Sequence, residues 1–172
     1  NGMSHWYKLT PADLDAAQKY FESALKRDPD YALAHVGMGL VGSGREQLGL
    51  VPPSKGLGPH IPKALELDGS LPEVHLAIAF SKTWGDWDWA GGDASFRRAI
   101  ELNPNHAMAR VYYSNLLCFM GRPEEALAQG RRALELDPIN ALFMEIYGLT
   151  LLYLGKNDEA FSLFRKALRT SP

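Results

Sequence analysis

The sequence of 172 residues has a single cysteine, Cys118. That excludes an internal disulfide framework, and the expected location is a reducing one, the cytoplasm. No apolar run approaches the ~18 residues of a membrane span, so no membrane insertion is expected. Lysine and arginine number 18 against 20 aspartates and glutamates. This balance leaves no basic footprint for nucleic acid and no polybasic patch for lipid. Catalytic motifs are missing too: there is no GxxxxGK[ST] loop, no HExxH and no GxSxG. The chain is therefore not expected to be an enzyme, and no cofactor is expected.

What the sequence does have is a repeat. The phrase Ala-Leu-x-x-Asp-Pro occurs as ALKRDP ending at Pro29, ALELDG ending at Gly69, AIELNP ending at Pro104, ALELDP ending at Pro138 and ALRTSP ending at Pro172. The intervals are 40, 35, 34 and 34 residues. Within the last interval Met144, Tyr147-Gly148 and Leu151, and then Ala160, Phe164 and Ala167, stand three and four residues apart before Pro172. In the interval before it Arg110, Tyr113-Ser114, Leu117, Ala126, Gly130, Ala133 and Pro138 hold the same register. Spacings of four put side chains on one helix face. Gly148, Ser114, Gly39 and Ala79 are small enough to let the first helix of a pair lie close to the second. Gly121 and Gly155 follow apolar runs, where a helix must stop and turn.

On these residues the chain resembles the tetratricopeptide repeat (TPR) family, whose unit is 34 residues and two helices. The resemblance implies an all-α, right-handed TPR superhelix, an α-α solenoid of about five helix-turn-helix repeats. They are expected at 1–29 (truncated), 30–69, 70–104, 105–138 and 139–172, as a single array over 1–172. With Asn1 at one end and Pro172 at a repeat boundary, the chain is expected to be a fragment of a longer protein.

Two repeats depart from the pattern. Repeat two carries six extra residues, and Gly44, Gly49, Gly56, Gly58, Pro52, Pro53, Pro59 and Pro62 crowd the stretch 43–62. Its first helix is expected from Asp30 to Gly42, then a long loop over 43–62, then a short helix from about His60 to Asp68. Repeat three has one extra residue and the phrase Asp86-Trp87-Asp88-Trp89. Asp88 is placed to N-cap the next helix. One tryptophan is expected to plug a gap between repeats and the other to cap the turn. Gly91 and Gly92 are expected to let that helix fray at its start. In repeat one, Thr10 is the expected N-cap and Asp13 its partner.

The five histidines, His5, His35, His60, His75 and His106, include no pair four apart, and none adjoins Cys118, so no zinc site is expected. His35 and His75 hold equivalent positions, as a repeat requires. The pairs Arg97-Arg98, Arg131-Arg132 and Arg165-Lys166 recur once per repeat and are expected on solvated convex surface.

The resemblance also places a binding groove. In TPR arrays the first helices line a concave face whose non-core positions touch ligands. By register these are His75, Phe80, Thr83 and Trp84 in repeat three, and Met108, Val111, Tyr112, Asn115 and Phe119 in repeat four. In repeat five they are Leu142, Glu145, Leu149, Leu152 and Tyr153. This lining suits a helix or an extended apolar peptide, so the expected partner is a protein or peptide. The Lys/Asn/Arg clamp that some TPR proteins use for chaperone C-termini is matched only by Asn115. The runs DWDWAGGDASFRRAIELNP and HWYKLTPADLDAAQKYFESALKRDPDYALAH resemble TPR arrays attached to bacterial signalling proteins: nucleotide cyclases, winged-helix regulators and Ser/Thr kinases. That implies a non-catalytic, interacting arm. The alternative is a self-association module, a homodimer formed through an uncapped end.

Overall fold

The computed structural model describes residues 2–52 and 55–170. Among them the chain forms α1 (Gly2–Trp6), α2 (Pro11–Arg27), α3 (Ala32–Gln47), α4 (His60–Leu67) and α5 (Pro72–Phe80). A π-helical turn, Ser81–Gly85, follows, and then α6 (Trp89–Leu102), α7 (Ala107–Phe119), α8 (Pro123–Leu136), α9 (Ala141–Tyr153) and α10 (Asn157–Thr170). No described residue is in a strand, and the fold is an all-helical α-α solenoid. The chain divides into two compact units, Asn1–Ser95 and Phe96–Pro172, with α6 running through the division.

The marker phrase has a physical basis in both units. Its Asp or Asn closes an Asx turn after a helix: Asp28 Oδ1 accepts from the Asp30 N–H (3.1 Å), Asp68 from Ser70 (2.9 Å) and Asn103 from Asn105 (3.0 Å). The proline between them cannot continue the helix. In repeat two Gly69 stands at that position, between Asp68 and Ser70. Pro172 lies outside the described residues.

In the first unit, Trp6 of α1 is fully buried, and its indole N–H donates to the Leu40 carbonyl of α3 at 2.7 Å. Leu14, Ala17 and Phe21 form the buried face of α2. The Thr10 hydroxyl accepts from the Asp13 N–H (3.1 Å), which is the expected N-cap. Asp13 answers through its carboxylate, which accepts from the Thr10 hydroxyl at 2.8 Å, where a full capping box would use the backbone N–H.

Helix α3 is longer than its composition suggests. It continues past Gly42 to Gln47, so the connection is Leu48–Pro59, and Pro53 within it lies outside the described residues. Tertiary packing overrides the glycines. Gly44 is buried, and a Cβ there would lie 3.0 Å from Leu14 and 3.2 Å from the Trp6 ring.

The extra residue of repeat three is absorbed by the π-helical turn, where the Asp86 N–H reaches back five residues to the Ser81 carbonyl (2.9 Å). Trp87 follows with φ 57° and is 71% exposed. Trp89 opens α6 and is also exposed. Neither tryptophan plugs a buried gap; Trp87 forms the turn itself. Asp88 accepts from the Gly91 N–H (2.9 Å) as the expected N-cap, and α6 is helical from Trp89 onward, through both glycines. A Cβ at Gly91 would overlap the Asp88 carboxylate, so glycine makes room for the cap.

In the second unit the pairs α7/α8 and α9/α10 pack side by side, and α7 also lies along α9. Aromatic rings and missing side chains interlock. Phe96 stacks on Tyr113 with centroids 5.5 Å apart. One repeat later the Phe96 position is Gly130, and the Tyr147 ring occupies the vacated space: a Cβ on Gly130 would overlap that ring. Gly148 in turn lies directly under Phe164. Cys118 is half-buried, and burial raises its thiol pKa, so it packs as a small apolar residue.

Candidate functional site

Helices α7 and α9 are built alike, and this fixes what they display. Each starts on a side-chain cap: His106 Nδ1 accepts from the Ala109 N–H and Asn140 Oδ1 from the Phe143 N–H, both at 3.3 Å. Each ends on a glycine in the left-handed region, Gly121 (φ 71°) and Gly155 (φ 74°). The following N–H groups reach back, Arg122 to Leu117 and Lys156 to Leu151, both at 2.9 Å. This is the Schellman arrangement, which satisfies the last carbonyls and stops the helix sharply. The side chains of the two helices are thus held on rigid, similarly built frames.

The residues expected in the groove separate into two groups. In the first unit, His75 is half-buried, and its Nε2–H donates to the Gly69 carbonyl at 2.9 Å. Phe80 is buried, stacked on Trp6 (6.3 Å) and edge-on to Trp84 (5.4 Å). Thr83 is buried as well, and Trp84 is half-buried. Phe80 and Trp84 thus join Trp6 in an aromatic cluster rather than lining an open surface.

In the second unit, Met108, Val111, Tyr112 and Leu142 are buried, with Tyr112 only 5% exposed. Asn115 is half-buried. The side chains that reach the surface are Phe119 (41% exposed), Glu145, Leu149 (42%), Leu152 and Tyr153 (60%). Glu145, Leu149 and Leu152 follow the spacing of one helix face, with Tyr153 beside them. The Phe119 ring meets the Tyr153 ring at 5.3 Å, which joins the surfaces of α7 and α9. The result is an apolar, partly aromatic face with one carboxylate. Among the described residues no group of three or more His, Cys, Asp or Glu converges there.

A second apolar surface lies on α10, and sequence reading named none of its residues as a site. Phe161 is 53% and Leu168 69% exposed, with Phe164 between them. Their counterparts one repeat earlier, Leu127 and Leu134 of α8, are half-buried. The signal was available: aligning the repeats marks both positions as ones that a neighbouring helix covers. The basic pairs are exposed as expected, and Arg98 and Arg132 each pair with the glutamate three residues on, Glu101 (3.3 Å) and Glu135 (2.9 Å).

Comparison with known proteins places this geometry. No curated protein matches the chain in sequence. Among solved structures, TTC0263, a thermophilic TPR protein of Thermus thermophilus, superposes with a TM-score of 0.70 at 20% identity, over 94% of this chain and 84% of that one. YrrB, described as a TPR protein with an unusual peptide-binding site, gives 0.56 at 24% identity, over 94% and 79%. Pseudomonas aeruginosa pilF gives 0.64 at 27% identity, over 85% and 63%. Two family models described as tetratricopeptide repeat match, one over residues 11–42 and 114–172 and the other over 95–128. The matches cover more than half of the chain, which belongs to the tetratricopeptide repeat family.

Proposed function

We propose that the chain is a protein-interaction scaffold that binds an apolar peptide or amphipathic helix on the α7/α9 face, with no catalysis of its own. The observation that carries this reading is the joined surface of Phe119, Leu149, Leu152 and Tyr153, held on two capped helices. Aromatic side chains supply large contact area at low entropic cost, and Glu145 and Asn115 add polar anchors that set register. The likeness to a TPR fold that carries a peptide-binding site supports it. In this reading the five repeats form one array and the chain is the non-catalytic arm of a bacterial signalling protein, working in the cytoplasm with a protein partner and not on nucleic acid.

The test is selection from a phage-displayed peptide library, followed by anisotropy titration of the selected peptide. Affinity is expected to fall at least tenfold, about 1.4 kcal/mol, in the Leu149→Asp/Tyr153→Ala variant. Both residues are surface-exposed, so folding is retained. Tyr112→Ala does not serve, because it empties a buried site. A peptide bound equally by wild type and variant removes the α7/α9 face from the reading.

The exposed face of α10 favours a second reading, self-association through that end. It predicts a concentration-dependent mass in sedimentation velocity that Phe161→Glu/Leu168→Glu abolishes while peptide binding persists.

A further inference from the structure

The first unit brings together two histidines that stand 25 residues apart in the sequence. His35 lies on α3, and His60 opens α4. Their Nδ1 atoms are 3.0 Å apart, and the rings are 5.3 Å apart between centroids and tilted by 38°. The other ring nitrogen of His35, Nε2, is 2.8 Å from the Pro29 carbonyl oxygen. A carbonyl only accepts, so Nε2 carries the proton and the Nδ1 lone pair of neutral His35 points toward His60. The tautomer of His35 is therefore fixed by the backbone.

This latch recurs along the chain. His75 Nε2 bonds the Gly69 carbonyl (2.9 Å) and Arg110 Nε the Pro104 carbonyl (2.9 Å), each six residues back, as in His35. The residue facing this position from the second helix differs from repeat to repeat. It is His60 in repeat two and Gln129 in repeat four, where Arg110 donates to the Gln129 side chain. The corresponding residue in repeat three is Ser95. Repeat two alone places two imidazoles there.

We propose that His35 and His60 form a two-imidazole chelating site for a divalent transition-metal ion of the imidazole-preferring class. An ion at about 2.05 Å from both Nδ1 atoms, with these atoms 3.0 Å apart, is seen under an angle of about 94°. That suits the cis positions of tetragonal or octahedral Ni(II) and Cu(II), and is tighter than the tetrahedral angle of structural zinc. A histidine whose second nitrogen donates to a backbone carbonyl is the usual arrangement of a metal ligand, because it orients the ring and raises its basicity. Both rings are part-exposed, so an ion can enter from solvent. On binding, the His60 Nδ1 proton moves to its Nε2, and no net proton is lost. The nearby Asp30–Lys63 pair (3.3 Å) also spans this seam and adds no net charge. Among the described residues no third His, Cys, Asp or Glu joins the pair, so water completes the coordination shell.

The ion would pin α4, a helix of eight residues that follows the Leu48–Pro59 connection, to α3. Nickel chloride is the probe of choice, because it does not oxidise Cys118 as Cu(II) can. Isothermal titration of the untagged chain at neutral pH is expected to show one Ni(II) per chain. His35→Gln and His60→Gln should each weaken binding about tenfold or more, and His75→Gln should bind as wild type. Unchanged affinity in either of the first two variants overturns the proposal. Because those variants also alter the α3/α4 seam, imidazole nitrogen NMR of the wild-type chain supplies the second readout. Zn(II), a diamagnetic stand-in, is expected to shift Nδ1 of His35 and His60 and to leave His75 and His106 in place. Shifts in neither ring, or equal shifts in all, refute the site.

Discussion

Repeats four and five have the regular 34-residue spacing; repeats two and three do not. The contacts made by their helix pairs are nonetheless of one kind. Gly148 lies under Phe164 in repeat five, and Gly39 of α3 lies under Ile61 of α4 in repeat two, where a Cβ would overlap the isoleucine side chain. The irregularity is confined to connections: Leu48–Pro59, the π-helical turn and Trp87. A solenoid is stabilised by contacts within and between neighbouring repeats. Extra residues that leave those contacts in place add only loop-closure entropy, which grows slowly with length. The comparison teaches that glycine and tryptophan mean different things in different places: some glycines are forced by packing, others are not, and one tryptophan stands where glycine belongs.

The largest effects should come from buried side chains. Trp6→Ala removes a fully buried ring and the indole N–H that donates to the Leu40 carbonyl. The expected loss is about 3–5 kcal/mol. Leu151→Ala in α9, also buried, is expected to cost about 2–5 kcal/mol. Hydrogen exchange should show the first change in α1–α3 and the second in α9–α10. If both variants loosen all helices equally, the repeats do not behave as locally stabilised elements.

Next come the glycines. Gly130→Val places atoms inside the Tyr147 ring and is expected to cost about 1–3 kcal/mol. Gly42 has nothing within 4 Å of a would-be Cβ, so Gly42→Ala should stabilise α3 by about 0.5–1 kcal/mol. Denaturant midpoints of the two variants check the sign; two losses, or two gains, would erase the distinction between forced and unforced glycines.

The turn positions give a smaller and opposite pair. Gly155→Ala puts a Cβ into a left-handed turn and should lose about 1 kcal/mol. Counted back from the second helix of its repeat, Trp87 is the equivalent of Gly121 and Gly155. Its side chain is mostly in solvent, so Trp87→Gly relieves strain at little packing loss. The expected gain is about 0.5–1 kcal/mol, read as a raised thermal midpoint. A loss would show that the exposed indole makes a contribution larger than the strain.

These cases also show why some of the molecule was legible and some was not. The helix pairs could be read because Ala160, Phe164 and Ala167, and their echoes Ala126, Gly130 and Ala133 one repeat earlier, mark one helix face, and the 34-residue interval leaves room for a second helix before each. The end of α3 could not, since Gly44 looks like a breaker until Trp6 and Leu14 are known to press against it. The candidate face was half legible. Register places Phe119, Leu149 and Tyr153 on exposed positions and equally nominates Val111 and Tyr112, which lie buried. Register gives an angle around a helix, whereas exposure depends on what else packs there. The His35–His60 pair lies at a register position, since His60 precedes Gly69 by the same nine residues by which Gln129 precedes Pro138, but register alone does not show that the two side chains there meet.

The smallest effect separates the start of α2 from the starts of α7 and α9 by its response to acid. Asp13 accepts from His5 Nδ1 (2.7 Å) and the Thr10 hydroxyl (2.8 Å), and Lys8 Nζ lies 3.3 Å away. The bond from His5, then that from Thr10, then the Lys8 charge hold its pKa down at about 2, against 3.8 for a free aspartate. A carboxyl whose pKa is lowered on folding contributes stability above its unfolded value and loses it as the pH falls through the folded one. The contribution is therefore complete above about pH 4 and gone near pH 2. A carbon-detected NMR titration should place the Asp13 midpoint near 2, with amide exchange in α1 rising over the same interval. Asp13→Asn should remove that pH dependence from α1 and leave the exchange of α7 and α9, whose caps are His106 and Asn140, unchanged. A midpoint close to 4 would mean that the three contacts add nothing beyond a solvated surface carboxylate, and that α1 is held by Trp6 alone.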